Sequence, residues 1–133
     1  MRILIDTNIL VMSAVFSSSY ILKVLDVIIK KHTIVLSTYI VDELKRVVLV
    51  KFPDKNDAIQ DFLLRLPYEL VKTSDTIDVS IYPYIRDIKD LPVLVSAIDY
   101  DVDVLLTGDK DFSQINIKRP EVLTPKEFLA KYG

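Results

Sequence analysis

Short apolar runs alternate along the chain with longer segments in which apolar positions recur every three or four residues. The short runs predict β-strands at 2–5, 33–36, 68–72, 102–107 and 121–123. The helical spacing predicts helices at 9–15, 20–31, 39–51, 54–65, 89–100 and 126–131. Strands that alternate with helices from end to end are typical of a single α/β domain with a mostly parallel sheet, here residues 1–133.

Polar and proline residues mark several of the predicted boundaries. Asp54 is a candidate cap for the helix that begins there. Thr124 with Pro125 reads as a cap followed by a first-turn proline, and Pro92 also falls in a first turn, where no hydrogen bond is lost. The stretch 76–88 fits neither pattern, so we predict that it is irregular.

Composition excludes several chemistries. The chain is 50% hydrophobic over 133 residues, which is enough for one sizeable core. It has no cysteine, so disulfides, thiol catalysis and cysteine-held metals are excluded. Its two glycines, Gly108 and Gly133, cannot form a glycine-rich phosphate loop. The only histidine, His32, ends a predicted helix, where we interpret it as an exposed cation.

The N-terminal segment is apolar, but Asp6, Thr7 and Asn8 interrupt it before a signal peptide could form. No apolar run approaches the ~20 residues that a membrane span needs. We therefore expect no membrane segment and a cytoplasmic location.

Acidic residues stand where parallel α/β sheets carry their functional sites, just beyond the carboxyl ends of strands. Asp6 closes the first strand, and Asp109 and Asp111 follow the strand at 102–107. Each by itself is weak evidence, because an aspartate after a strand is more often a cap or a turn former. Together they indicate that two segments distant in sequence can meet at one edge of the sheet.

Two further groups of acids belong to predicted helices or their ends. Glu43 borders an apolar face, where a carboxylate is usually partly solvated and paired with a basic residue. Asp90 starts a helix and is a strong candidate for its N-cap, with Asp87 as a turn former or an auxiliary acid. Three acids at the opposite end of the sheet are interpreted as solvated turn residues: Asp99, Asp101 and Asp103.

A cluster of Asp6, Glu43, Asp90 and Asp109 would need a cation. Four carboxylates at close range cannot all stay ionised unpaired, because like charges raise one another's pKa. Oxygen ligands without histidine or cysteine favour Mg²⁺ or Mn²⁺ over Zn²⁺. Such an ion activates bound water and stabilises a phosphoryl transition state, which is the chemistry of metal-dependent nucleases and phosphatases.

The ordered set of motifs resembles the PIN-domain ribonucleases, and more narrowly the VapC-like toxin components of bacterial and archaeal toxin–antitoxin pairs. The motifs are Asp6-Thr7-Asn8, Val41-Asp42-Glu43-Leu44, Asp90 seven residues before Ala97, and Thr107-Gly108-Asp109-Lys110-Asp111-Phe112. The resemblance covers essentially the whole chain. It implies a three-layer α/β/α PIN-like fold with a central, mostly parallel sheet. It also implies an Mg²⁺- or Mn²⁺-dependent endoribonuclease that hydrolyses RNA phosphodiester bonds.

The resemblance assigns roles to the acids. The family's acidic quartet falls on Asp6, Glu43, Asp90 and Asp109. Asp6 and Asp90 would be metal ligands, directly or through water, and Asp109 a third ligand or the holder of a coordinated water. Glu43 would orient or deprotonate the attacking water.

Three other residues are expected to support the quartet. Asn8 would fix the pocket through its side-chain amide, and Thr107 through its hydroxyl. Asp111 either shares the role of Asp109 or caps the following turn, and we favour the cap.

Other protein classes share parts of this pattern. A phosphatase with an aspartate nucleophile needs a second aspartate where this chain has Asn8. A phosphoacceptor signalling domain could use Lys110 as its late lysine, but no acidic pair accompanies Asp6. The remaining alternative is a non-catalytic PIN-like module that binds RNA or protein, and the intact set of acids argues against it.

The net charge of −2 is compatible with an RNA substrate. Setting the four acids of the quartet aside leaves 15 acidic residues against 17 basic ones, so an acidic pocket would lie in a slightly basic protein. The cations expected to meet phosphates are Lys23, Lys30, Lys31, Lys45, Arg46, Lys51, Lys118 and Arg119.

Partners follow from the resemblance alone. Toxins of this kind are generally paired with a small antitoxin that fills the acidic groove, and many form homodimers. The apolar faces of the helices at 20–31 and 54–65 are available for such contacts, although core packing explains most of those residues first.

Overall fold

The computed structural model describes residues 1–133, and its five strands form one sheet in the order β3-β2-β1-β4-β5. Every neighbouring pair is parallel. The strands are β1 (Arg2–Ile5), β2 (Thr33–Ser37), β3 (Tyr68–Val71), β4 (Val104–Leu106) and β5 (Glu121–Leu123). The predicted mostly parallel sheet is therefore confirmed, and it is parallel throughout.

Seven helices flank the sheet, which gives the three-layer α/β/α arrangement expected from the sequence. They are α1 (Thr7–Ala14), α2 (Ser19–Lys31), α3 (Thr38–Lys51), α4 (Asn56–Arg65), α5 (Leu91–Asp99), α6 (Lys110–Ser113) and α7 (Pro125–Tyr132). Three short 3₁₀ turns cover Pro53–Lys55, Val79–Ile81 and Ile88–Asp90. No single helix is both long and apolar enough to span a membrane, and only α1 with α2, bent by 113°, would pass that test as a pair.

One cluster of 33 buried apolar residues forms the core. The middle of the sheet supplies its centre: Ile3, Leu4 and Ile5 of β1 are fully buried, as are Leu105 and Leu106 of β4. Strands covered by helices on both faces read as continuous apolar runs rather than alternating ones. This explains why the two central strands are the clearest in the sequence.

Of the caps predicted at Thr124 and Asp54, the first is confirmed and the second is not. Thr124 and Glu127 form a reciprocal capping box at the start of α7, with Pro125 in the first turn. The prediction for Asp54 is wrong, because Pro53 starts a 3₁₀ turn that contains Asp54, and α4 begins after Lys55 without a side-chain cap. Pro92 lies in the first turn of α5, as expected.

His32 is not the exposed cation that the sequence indicates. Its ring packs edge-on against Phe128 at 5.9 Å between centroids, and its Nδ1 lies 3.2 Å from the amino group of Met1. Burial and the nearby ammonium group lower the pKa of His32. The reason is tertiary: α7 packs on α2 and partly covers the helix end.

The strand order changes direction between β1 and β4. The chain leaves β1 toward β2 on one side, and β4 lies on the other side. In open parallel sheets, such a switch point leaves a crevice outside the carboxyl ends of the two strands. The residues that follow β1 and β4 therefore line the expected position of a site.

Candidate active site

Asp6 lies at the switch point, immediately after β1. Its backbone N–H donates to the carbonyl of Leu106 at 3.0 Å, which joins the ends of β1 and β4. Its Oδ1 accepts from the N–H of Thr7 and its Oδ2 from the hydroxyl of Thr107, both at 2.8 Å. Burial raises the pKa of Asp6 to about 6 despite these hydrogen bonds, and the charges of Glu43 and Asp109 add to the rise.

Thr107 connects Asp6 to the acids that follow β4. Besides donating to Asp6, its hydroxyl accepts from the N–H of Asp109 at 3.0 Å. The side chain of Asp109 in turn accepts from the N–H of Asp111 at 2.9 Å and caps α6. The predicted cap at Asp111 is therefore wrong, because α6 begins at Lys110 and its N-cap is Asp109.

Asp90 enters the site from the start of α5, but its side chain caps nothing. Asp90 occupies the N-cap position of α5, as expected, but it forms no capping hydrogen bond. Asp87 caps the 3₁₀ turn that precedes α5, by accepting from the N–H of Lys89 at 3.0 Å. The pKa of Asp90 is raised to about 7, first by partial burial and then by the neighbouring carboxylates of Asp109, Asp87 and Asp6.

Three carboxylates form a compact group. Asp90, Asp109 and Asp111 each place one carboxylate oxygen within 4.8 Å of the others. Repulsion from the Asp109 carboxylate already contributes to the raised pKa of Asp90. Carboxylate oxygens placed this close together suit a hard divalent cation. The predicted ligand set shares Asp90 and Asp109 with this group, whereas Asp6 lies outside it and uses both of its oxygens for hydrogen bonds.

Glu43 reaches the site from α3. Its Oε1 accepts from the hydroxyl of Thr7 at 2.5 Å, and its Oε2 lies 3.9 Å from Nη2 of Arg46. Thr7 therefore connects Glu43 to Asp6, and it is a site residue that the sequence did not single out. Asn8, which was expected to fix the pocket, is exposed, and no hydrogen bond involves its side chain. The only sequence signal for Thr7 is its position directly after Asp6.

A second polar network holds α3 against α5. The Tyr39 hydroxyl donates to the carbonyl of Lys89 at 3.0 Å, one residue before Asp90. Thr73, after β3, donates its N–H to the Thr38 hydroxyl at 3.0 Å and pairs with the buried Ser96 at 2.9 Å. The network fixes the helix that carries Glu43 relative to the turn that carries Asp90. It joins four segments, so nothing in the local sequence indicates it.

Two arginines border the acidic group. Arg46 approaches Glu43, as described above, and Arg86 binds both oxygens of Asp111, with Nε–Oδ1 at 2.8 Å and Nη2–Oδ2 at 3.0 Å. Arg86 comes from the irregular stretch and was not predicted. Arg119, which was expected to meet phosphates, instead pairs with two acids at the opposite edge of the sheet: Asp101 and Asp103.

The fold and the site define an α/β protein with an acidic, oxygen-lined crevice at the carboxyl edge of a parallel sheet. A family model described as PIN domain matches residues 2–111, so this chain belongs to the PIN domain family. No curated protein matches the chain by sequence.

A solved structure shares the fold. The crystal structure of VapBC2 from Rickettsia felis, bound to a DNA fragment from the VapBC2 promoter, contains a chain that superimposes on this one with a TM-score of 0.71. The match covers 93% of this chain and 98% of that chain at 20% sequence identity. The similarity therefore extends over nearly the whole of both chains.

Proposed function

We propose that this PIN-domain protein is a metal-dependent endoribonuclease and the VapC-like toxin of a toxin–antitoxin pair. The observation that carries the proposal is the meeting of Asp6, Glu43, Asp90 and Asp109 at the switch point, with Asp111 added to the group. Residues from four separate segments contribute to it, which a set of local caps would not require. The proposal includes a cytoplasmic location, where the protein would meet its RNA substrate.

The proposed ligands of the cation are Asp6, Asp90, Asp109 and Asp111. A bound Mg²⁺ or Mn²⁺ would neutralise these carboxylates and increase the acidity of a water molecule beside a phosphodiester. Thr107 holds the Asp6 carboxylate from one side and the Asp109 backbone from the other, so one hydroxyl fixes two of the ligands.

Glu43 is the proposed base for the attacking water. The Thr7 hydroxyl occupies Oε1 and orients the carboxylate, whereas Oε2 has only Arg46 at 3.9 Å as a neighbour. We propose that Oε2 of Glu43 accepts the proton of the attacking water. Arg46 and Arg86 are the cations close enough to the acids to offset the charge of a phosphate.

The test is RNA cleavage by the purified protein with Mg²⁺ or Mn²⁺ and with EDTA. We expect cleavage with a divalent ion, none with EDTA, and loss of cleavage in Asp6→Asn. Asp101→Asn is a matched control, because Asp101 lies at the opposite edge of the sheet and its positive φ of 51° suits asparagine. Binding without cleavage under every condition would instead support the non-catalytic alternative.

We further propose that an antitoxin segment binds a groove between α2 and α4. The groove has a volume of about 380 Å³, and its apolar walls include Leu22 and Ile29, each 42% exposed, and Phe62. The test is co-purification with the product of a small neighbouring open reading frame. Leu22→Asp should abolish it, and Leu49→Asp, on an exposed position of α3 outside the groove, should not.

The chain is also proposed to form a homodimer. Sedimentation of the protein alone should give twice the mass of one 15.2 kDa chain. A clean monomer at micromolar concentration would contradict this proposal and leave the nuclease proposal unaffected.

A further inference from the structure

The stretch between β3 and α5 forms an apolar cavity that the proposed reaction does not use. The cavity has a volume of about 310 Å³. Its floor consists of the buried Ile85 and Leu91, and Tyr82 forms a wall that is fixed by a hydrogen bond from its hydroxyl to Asp99 at 2.7 Å. Tyr84 also lines the cavity, yet 84% of it is exposed to solvent. We call this feature the tyrosine cavity.

Arg86 connects the tyrosine cavity to the acidic group. It lines the cavity and binds both carboxylate oxygens of Asp111, one of the three clustered acids. Its side chain is nevertheless 74% exposed, and its Nη1 takes no part in the bonds to Asp111. A molecule that reaches the acids can therefore contact the guanidinium and the cavity at the same time.

The chemistry of this surface favours a nucleic acid over a protein segment. Exposed aromatic rings beside an arginine are the means by which proteins bind unpaired bases and their phosphates. The volume suits one base and its sugar. A phosphodiester next to the five carboxylates of the site also needs a nearby cation, and Arg86 already contacts one of them, Asp111.

We propose that the tyrosine cavity is a nucleobase subsite for single-stranded RNA, in which Tyr84 stacks on a base and Arg86 contacts the adjoining phosphate. The proposal rests on the ribonuclease function, because it places the base next to the phosphate that would be cleaved. It adds to that function a position that binds one base, and the two residues that form it.

The test measures RNA binding without cleavage, in an Asp6→Asn background with Mg²⁺. The probe is a fluorescently labelled hexamer of adenosine, compared with the same hexamer with abasic nucleotides. We expect Tyr84→Ala to weaken binding of the hexamer roughly tenfold and to leave binding of the abasic probe unchanged. Tyr84→Phe should bind within about twofold of the parent because the ring is kept. Tyr20→Ala, which removes a 45% exposed ring from α2, is the matched control and should have no effect.

A second variant reports stacking directly. The chain has no tryptophan, so Tyr84→Trp creates a single tryptophan at the cavity, whose fluorescence can be excited apart from that of the tyrosines. Its fluorescence should be quenched by the adenosine hexamer and not by the abasic probe.

The outcomes separate this proposal from the proposed nuclease function. Equal binding by the parent and Tyr84→Ala, equal losses for both probes, or no binding by the parent would overturn the subsite. If the wild type still cleaves RNA in that case, the nuclease proposal stands. An effect of Tyr84→Ala on dimer mass with unchanged RNA binding would also overturn the subsite and make the cavity a protein interface.

Discussion

The two edges of the sheet carry the same acidic residue types in opposite surroundings. At the amino edge, guanidinium groups and a backbone amide meet the carboxylates: Arg2 binds Glu69, Arg119 binds Asp101 and Asp103, and the N–H of Arg2 donates to Asp103. At the carboxyl edge, Asp90 faces the carboxylate of Asp109 without a cationic partner. Of the three clustered acids, only Asp111 is paired with a guanidinium, that of Arg86.

The pKa values follow this difference. At the amino edge, the hydrogen bond from Arg2 lowers the pKa of Glu69, and the backbone hydrogen bond from Arg2 lowers that of Asp103. At the carboxyl edge, burial raises the pKa of Asp6 to about 6 and that of Asp90 to about 7. An acid with a lowered pKa stabilises the folded protein when it ionises, which is typical of a structural ion pair. An acid with a raised pKa destabilises the folded protein when it ionises, which is typical of a site that binds a cation or moves a proton.

The largest expected effect distinguishes two glutamates. Glu43→Gln should reduce RNA cleavage by roughly 10²–10⁴-fold, because the amide cannot accept a proton from water. Glu69→Gln, at the amino edge, should leave the rate within about twofold, since it touches no residue of the site. Initial rates with Mn²⁺ measure both, and equal rates for the two variants would remove Glu43 from the site.

The next effect concerns stability in EDTA. An acid with a raised pKa binds more protons in the folded state, so stability falls as the pH rises from its unfolded value to its folded value. For Asp6, this is a loss of about 2 kcal/mol in the free energy of unfolding between pH 4 and pH 6. Asp90 changes stability in the same direction up to about pH 7.

Urea unfolding of the metal-free protein across this range measures the loss. The slope should be clearly smaller in Asp6→Asn, which has no carboxyl to titrate. At the amino edge the sign is reversed: the lowered pKa of Asp103 gives stability that is lost only below about pH 4. A wild-type stability that rises from pH 4 to pH 6 relative to Asp6→Asn would contradict the assigned burial of Asp6.

A smaller effect tests how the carboxyl edge is held together. Thr107→Val removes the hydroxyl that donates to Asp6 and accepts from Asp109. Cleavage should fall about 10–100-fold, the usual cost of losing a group that orients metal ligands. Thr107→Ser keeps the hydroxyl and should retain most activity. If the two variants have the same rate, the hydroxyl does not position the acids.

The smallest effect belongs to the amino edge. Asp103→Asn should lower the free energy of unfolding by about 0.5–1 kcal/mol, because the ion pair with Arg119 is partly exposed. Urea unfolding at pH 7 measures it. A loss of several kcal/mol would show that the amino edge is as sensitive to charge as the carboxyl edge.

Much of the fold could be predicted because its signals are local. The buried strands β1 and β4 are continuous apolar runs, and the helix caps at Thr124 and Pro125 have a sequence signature. The 3₁₀ turns and the four-residue α6 are too short to show a period. They decide which of two nearby acids forms a capping hydrogen bond: Asp109 rather than Asp111 caps α6, and Asp87 rather than Asp90 caps the 3₁₀ turn before α5.

The site was predictable where topology dictates it. Asp6 and Asp109 follow neighbouring parallel strands, so the sheet brings them together. Thr7, Tyr39 and Arg86 could not be found in this way, because each acts through a partner distant in sequence: Glu43, the Lys89 carbonyl and Asp111. Arg86 also lies in the stretch that lacks any periodic pattern.

The most direct test of the proposed site is RNA cleavage by the wild type, Asp90→Asn and Asp103→Asn, each assayed with Mn²⁺ and with EDTA. We expect the wild type and Asp103→Asn to cleave at similar rates with Mn²⁺ and not with EDTA, and Asp90→Asn to be inactive in both. Cleavage that persists in EDTA, or equal activity of Asp90→Asn and Asp103→Asn with Mn²⁺, would contradict the assignment of the carboxyl edge as a metal-dependent active site.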